Sequence, residues 1–294
     1  MTEHNFHKKR ARELQARTGM SYTRALRLVK EGLDGAGQAT GLYEPIPSQP
    51  LTPALLHEAR PAGADSTTLR PLPFGVDADG AIQALNLTSI HEGGEGPHAM
   101  IVGQGGAGKT MLLRTLVTGL CVQHSVDQLR VIYLRELSSD DFTAFPHVSL
   151  TDFGEAQDVL DGLREGATTA PHTVLIVDGF EYMMELHPDT RAQLEMLVRT
   201  GRARGIHVIL ADQQLRLSLS EPLLVNVRLR LALRMATEQS SRDFVGVPAA
   251  AHLPVCAGLG YYQREPGSDL VVAFRGLTTP PQRGVPAFGD TAER

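Results

Sequence analysis

The chain has 294 residues, 42% of them hydrophobic, and a formal net charge of −5. This fills a genuine core and excludes a polycation, while two distant cysteines, Cys121 and Cys256, exclude a disulfide framework and a C-x-x-C zinc site. The charge is uneven, since residues 1–35 hold eight Lys/Arg against four Asp/Glu and leave 20 against 29 for the rest. A basic head on an acidic body reads either as a contact with nucleic acid, anionic lipid or an acidic partner, or as a solvated helical face. Met1 to Arg17 is polar and basic rather than a secretory signal, and the longest uncharged run, Phe244 to Gln263, is broken by Pro248 and Pro254. The expectation is a cytoplasmic protein without a direct membrane span, recruited to a membrane only through a partner.

In chain order, residues 1–34 predict a basic two-helix unit: His7 to Arg17, a break at Thr18-Gly19, and a second helix capped by Ser21. Residues 35–70 read as a Pro-rich linker, partly extended. The main domain is expected over residues 71–277, and the proline-punctuated stretch 278–294 as a mobile tail. Two short strands flank a turn at Asp79-Gly80. Ala99 to Val102 is a buried strand, followed by apolar positions at helical spacing from Met111 to Leu120. Leu129–Leu134, Thr173–Asp178 and Ile206–Ala211 are further strands, separated by helices over Phe153–Arg164 and Arg191–Arg204. Leu229–Met235, Tyr261-Tyr262 and Leu270–Phe274 add more strands. This alternation predicts an α/β domain with a mainly parallel central sheet.

The chemistry gathers on Gly103-Gln104-Gly105-Gly106-Ala107-Gly108-Lys109-Thr110, which fits G-x-x-x-x-G-K-[ST] between a strand and a helix. Its glycines let successive backbone N–H groups point at one anion, and the following helix adds its positive end. Lys109 is expected on the β- and γ-phosphates and the Thr110 hydroxyl on Mg²⁺. Beyond Lys30, Lys109 is the chain's only lysine, so its place in this loop is hard to assign to chance. Asp178 closes the apolar run V-L-I-V-D, where a carboxylate orders Mg²⁺ through water.

Hydrolysis also needs a group that orients or deprotonates water. Many ATPases of this kind carry a Glu directly after that Asp, where this chain has Gly179. Glu181 is the nearest carboxylate; it either takes that role or is a helix N-terminal charge. A Glu at position 179 is expected to raise turnover unless Glu181 already acts as the base. Gln213, ending the fourth strand, can contact the γ-phosphate or the water; neighbouring Asp212 can equally serve if a metal lies between the acids. Arg199, Arg202 and Arg204 approach that strand, each readable as an arginine finger or as an exposed helix end. His207, inside an apolar strand, reads as a core histidine.

Together these pieces resemble the FtsK/SpoIIIE family of ring-forming motor ATPases, and more closely the EccC-type ATPase domains of ESX (type VII) secretion. The likeness runs from Pro71 to Arg275. It rests on G-P-H-A-M-I-V-G-Q-G-G-A-G-K-T-M-L-L-R-T-L-V-T-G-L at Gly96 to Leu120 and V-L-I-V-D-G-F-E at Val174 to Glu181. G-R-A-R-G-I-H-V-I-L-A-D-Q at Gly201 to Gln213 extends it, and Val245-Gly246-Val247-Pro248 and His252-Leu253-Pro254 follow. The resemblance implies a RecA-like P-loop NTPase fold and ATP with Mg²⁺. It implies assembly as a homo-oligomeric ring or with a larger FtsK/EccC-type ATPase, and a cargo of double-stranded DNA or secreted protein. It also places Arg202 at the family's arginine before G-I-H and Gln213 at its strand-end glutamine. Gly179, and Leu134-Arg135-Glu136-Leu137-Ser138 where the family often has D-F-K-G-G, depart from the pattern. These departures set a second expectation beside the motor: a weakly hydrolysing adaptor or regulatory subunit on a larger ATPase.

Overall fold

The computed structural model describes residues 49–58, 68–136, 145–166, 172–255, 258–265 and 271–279, with residues 217–220 by backbone alone. Lys8, Arg12 and Tyr22 are described as isolated helical positions. The rest of the basic two-helix unit, most of the linker and the tail beyond 279 lie outside the described residues.

Ten strands form one sheet among the described residues, in the order β2-β1-β10-β9-β8-β3-β7-β6-β4-β5. The strands are β1 (Leu72–Val76), β2 (Ile82–Leu85), β3 (His98–Val102), β4 (Leu129–Arg135), β5 (Val148–Asp152), β6 (His172–Asp178), β7 (Ile206–Asp212), β8 (Leu229–Ala232), β9 (Leu259–Gln263) and β10 (Val271–Gly276). From β8 through β3, β7, β6 and β4 to β5 every pairing is parallel, and from β8 outward to β2 every pairing is antiparallel. The mainly parallel α/β sheet expected from the sequence is therefore present.

The central strands are apolar on both faces because both faces are covered. Val131, Tyr133, Val174, Ile176, Ile209 and Ala211 pack on the side of α2 (Lys109–Gln123). Their neighbours Ile132, Leu134, Leu175, Val177, Val208 and Leu210 pack on the other side. There they meet α3 (Ala156–Glu165), α4 (Phe180–Leu186), α5 (Thr190–Thr200), α6 (Leu217–Leu224) and α7 (Glu238–Val245). The two-residue period thus sorts one hydrophobic run into two cores.

The helix expected over Arg191–Arg204 divides. α5 ends at Thr200, and a 3-10 turn, Gly201–Arg204, is closed by Gly205 at φ +66°. Strand β5 had no expectation because, as V-S-L-T-D at the sheet's rim, it is mostly half-exposed and lacks a continuous apolar run. The described part of the linker is docked rather than free. Helix α1 (Pro53–Glu58) buries Leu56, Leu51 N–H donates to the Thr278 carbonyl at 2.8 Å, and Thr278 N–H donates to the Gln49 carbonyl at 2.8 Å.

Candidate nucleotide site

Parallel strands put their C-terminal ends on one edge, and this assembles the site. In the register of β3, β7 and β6, Val102 stands opposite Asp212 and Ala211 opposite Asp178. Gly103 N–H donates to the Asp212 carbonyl at 3.1 Å and Gly179 N–H to the Ala211 carbonyl at 2.7 Å. The phosphate loop leaves β3 close against the β8 extension. A Cβ on Gly103 would stand 2.6 Å from Leu233 Cβ, so the approach requires glycine. Gly106 and Gly108 hold φ +74° and +105°, the left-handed region that curls the loop before α2 begins. Gln104 N–H donates to the Arg234 carbonyl at 2.8 Å, and Arg234 Nη1 donates to Gln104 Oε1 at 2.7 Å. Ala107 is buried beneath, its carbonyl accepting from Gly258 N–H at 2.9 Å.

Gly105, Gly106 and Thr110 are exposed to a cleft of about 810 Å³ also lined by Lys109, Arg135, Asp178, Glu185, Gln213 and Arg216. Lys109 Nζ donates to the carbonyls of Gly103 and Gln104, the latter at 3.2 Å. Burial lowers the Lys109 pKa, and the charges of Asp178 and Asp212 oppose that shift. Asp178 Oδ2 accepts from the hydroxyl of fully buried Tyr133 at 3.1 Å. An ammonium, a hydroxyl, a carboxylate and a glycine cradle on one rim suit a Mg²⁺-bound polyphosphate: Thr110 and Asp178 for the cation, loop and Lys109 for the phosphates. The residues present fit the group.

The second tier departs from sequence expectation. Glu181 is fully buried, and both its carboxylate oxygens are engaged. Oε1 accepts from Arg216 N–H at 2.6 Å and Oε2 from Arg216 Nε at 2.8 Å. Glu181 stands in the first turn of α4, as the helix N-terminal reading expected, and its carboxylate is paired with Arg216. Its backbone N–H in turn donates to Asp212 Oδ2 at 2.9 Å, while Asp212 Oδ1 accepts from Gln213 N–H at 2.7 Å. Burial raises the Asp212 pKa, against these two donors. Asp212 is thus a clamp between the end of β7 and the start of α4. Gln213 is exposed, and its Oε1 would lie 3.7 Å from a Cβ on Gly105, so its amide overhangs the loop.

Gly179 has φ +97° and ψ 44°, and a Cβ there would meet the Phe153 ring at 3.5 Å. A glutamate at this position would be strained in the left-handed region, so it is not the simple restoration the motif comparison suggests.

Arg202 is not brought to this cleft. It precedes β7, whose seven residues span roughly 20 Å at about 3.3 Å per residue, and its Nη1 donates to Ser89 Oγ at 3.3 Å. Arg204 donates to the carbonyls of Arg164, at 2.8 Å, and Gly166 at the end of α3. Arg199 contacts Met196 Sδ at 3.4 Å. His207 lies in the core as expected, its Nδ1 3.1 Å from the Leu87 carbonyl and its Nε2 3.1 Å from His172 Nδ1. Among the described residues no His/Cys/Asp/Glu cluster of metal-site geometry occurs, and no helix is long and apolar enough to cross a membrane. Sequence reasoning missed Tyr133, Arg216 and Arg234. Tyr133 left one signal, a phenol inside an apolar strand; the two arginines left none, because only the chain path brings them to the loop.

The fold matches that of EccC/FtsK-like P-loop ATPase domains, and a family model described as an AAA domain matches residues 93–218 of this chain. Its homologues include EccC proteins of ESX secretion. The chain is 30% identical over 249 residues to the ESX secretion system protein EccC of Thermomonospora curvata, which covers 72% of this chain and 19% of that protein. The solved cytoplasmic domain of the Thermomonospora curvata type VII secretion ATPase EccC superposes with a TM-score of 0.65 at 27% identity, over 82% of this chain and 32% of that one. A structure of ATPases 2 and 3 of the same species' EccC in complex with a signal sequence peptide shares the fold, with a TM-score of 0.56 and 19% identity over 80% of this chain and 46% of that one. The chain spans about a fifth of the length of the EccC protein it matches.

Proposed function

We propose that this chain binds ATP with Mg²⁺ at Gly103–Thr110 and works as a cytoplasmic ATPase motor element of an EccC-type secretion assembly, acting on a secreted protein. The observation that carries the reading is the convergence of Lys109, Thr110, Asp178 and Gln213 on one rim of the cleft. Lys109 and the loop N–H groups hold the phosphates, Thr110 and Asp178 hold the cation, and Tyr133 orients Asp178. Bound Mg²⁺ supplies charge neutralisation at the phosphates. Gln213 orients the attacking water, and Glu181 acts only through Arg216, since its own oxygens are engaged. Likeness to EccC supports a protein cargo over DNA.

Arg202 stands about one strand's length from its own cleft, so its charge can reach a nucleotide only in a neighbouring subunit. The reading therefore includes a homo-oligomeric ring, or docking on a larger FtsK/EccC-type ATPase. The second reading, a weakly hydrolysing adaptor, is supported by Gly179 at φ +97°, where no carboxylate follows Asp178, and by the Glu181–Arg216 pair, which engages the next carboxylate in sequence.

Calorimetric titration with ATP·Mg²⁺ tests the site. Lys109→Ala is expected to weaken binding by ~10²-fold, the scale of two charge-assisted hydrogen bonds. Equal affinity in the two proteins would overturn the assignment. Steady-state hydrolysis separates the readings. Turnover that rises on ATP-dependent assembly and falls with Arg202→Ala is the motor; slow turnover in every state is the adaptor. Stimulation by double-stranded DNA and not by a signal peptide would change the cargo.

A further inference from the structure

Three cationic side chains line the cleft among the described residues: Lys109, Arg135 and Arg216. The motif accounts for Lys109. Arg135 turns its Nε onto the neighbouring Glu136 carbonyl, at 3.3 Å. Arg216 stands directly before α6, two residues after the Gln213-Gln214 pair that follows β7. Its two acidic partners differ. Glu181, on the inner side, is fully buried and takes both the backbone N–H and Nε of Arg216. Glu185, one helical turn further along α4, is 47% exposed, lines the cleft itself and takes Nη1.

The inner pair fixes the guanidinium, because breaking it would leave a buried carboxylate without its partner. The outer pair is held weakly, because both members reach solvent and screening reduces their attraction. A guanidinium fixed at Nε and replaceable at Nη, on the rim of a phosphate cleft, is a group that can exchange one anion for another. A phosphate competes well for it, since the planar fork matches phosphate oxygens and a polyphosphate carries more charge than one carboxylate. Glu185 would be repelled by the same charge.

We propose that Arg216 is a terminal-phosphate contact of the bound nucleotide, with Glu185 as the competing anion that holds its Nη group when no γ-phosphate is bound. The inference rests on nucleotide binding in this cleft. It makes Arg216 the residue that distinguishes triphosphate from diphosphate. Through Asp212 and Glu181 it also ties that distinction to α4, whose Tyr182 and Leu186 face solvent.

The test is calorimetric titration of the full chain with ADP and with a non-hydrolysable ATP analogue, each with Mg²⁺, read as the ratio of the two dissociation constants. Glu185→Gln removes the competing charge without touching the buried pair. It is expected to raise the preference for the triphosphate by a few-fold, with ADP affinity unchanged. Arg216→Gln is expected to lower that preference by ~10-fold, the scale of one hydrogen bond to a charged group, again sparing ADP. If Arg216→Gln fails to fold, as judged by thermal unfolding, the Glu185→Gln ratio decides alone. A wild-type ratio in Glu185→Gln overturns the proposal while leaving the nucleotide site standing. A wild-type protein that binds neither nucleotide overturns both.

Discussion

The parallel and antiparallel halves of the sheet do different work. In the parallel half, β3, β6 and β7 end together, so Gly103, Asp178 and Asp212 meet on one edge although 109 residues separate the first from the last in sequence. In the antiparallel half, β1, β10 and β9 alternate in direction, so no edge collects strand ends of one kind. That half is instead knit by rings: Phe74 meets Tyr262 and Phe274 edge-on at centroid distances of 5.0 and 4.9 Å. Its contribution to the site is support from behind, through Gly258 N–H on Ala107. Chemistry thus follows strand direction, and stability is shared by both halves.

The largest expected effect separates these roles. Phe74→Ala empties a fully buried ring position and should cost about 3–5 kcal/mol of stability by chemical denaturation. Nucleotide affinity of the folded fraction should hold; a parallel loss of affinity would mean that the two halves are not separable.

Acid should act at the end of the sheet opposite the site. Burial lowers the pKa of His98 to about 4 and of His207 to about 3, and that of His124 to about 4. His98 Nδ1 also accepts from Val208 N–H at 3.0 Å, which requires a neutral nitrogen. The folded-state pKa values lie below the unfolded value of 6.5, so the unfolded chain binds more protons as pH falls. Stability is complete above pH 6.5 and is lost progressively towards pH 4. By pH 5.5 the loss should be about 1 kcal/mol for each histidine. Denaturation midpoints that stay level from pH 7.5 to 5.5 would contradict this.

Gly179→Glu probes the parallel half directly. The left-handed backbone should cost about 1–2 kcal/mol, and no rise in turnover is expected. Faster hydrolysis would show that the loop relaxes and that the missing glutamate alone limits the rate. The smallest effect is Tyr133→Phe, which removes one hydrogen bond to Asp178. About 1 kcal/mol of Mg²⁺-dependent nucleotide affinity should be lost, visible in titrations at limiting Mg²⁺.

The sequence alone determined the elements whose signals are local. The strand–loop–helix around Lys109 is legible because the loop's glycines and lysine are contiguous. Strands β4, β6 and β7 are legible because burial on both faces demands unbroken apolar runs. The sequence could also nominate Asp178 and Gln213, because position at a strand's C-terminal end is a one-dimensional property. Tertiary structure alone decided the partners of those groups. Glu181 looked eligible for water because spacing places it near Asp178, but 35 residues further on the chain returns Arg216 to occupy both its oxygens. Gly179 looked like a missing glutamate, and its positive φ shows a backbone shaped for glycine. Residue type and spacing set which groups can reach the site. Which of them stay available for chemistry is set by backbone conformation and by contacts distant in sequence, which no local pattern encodes.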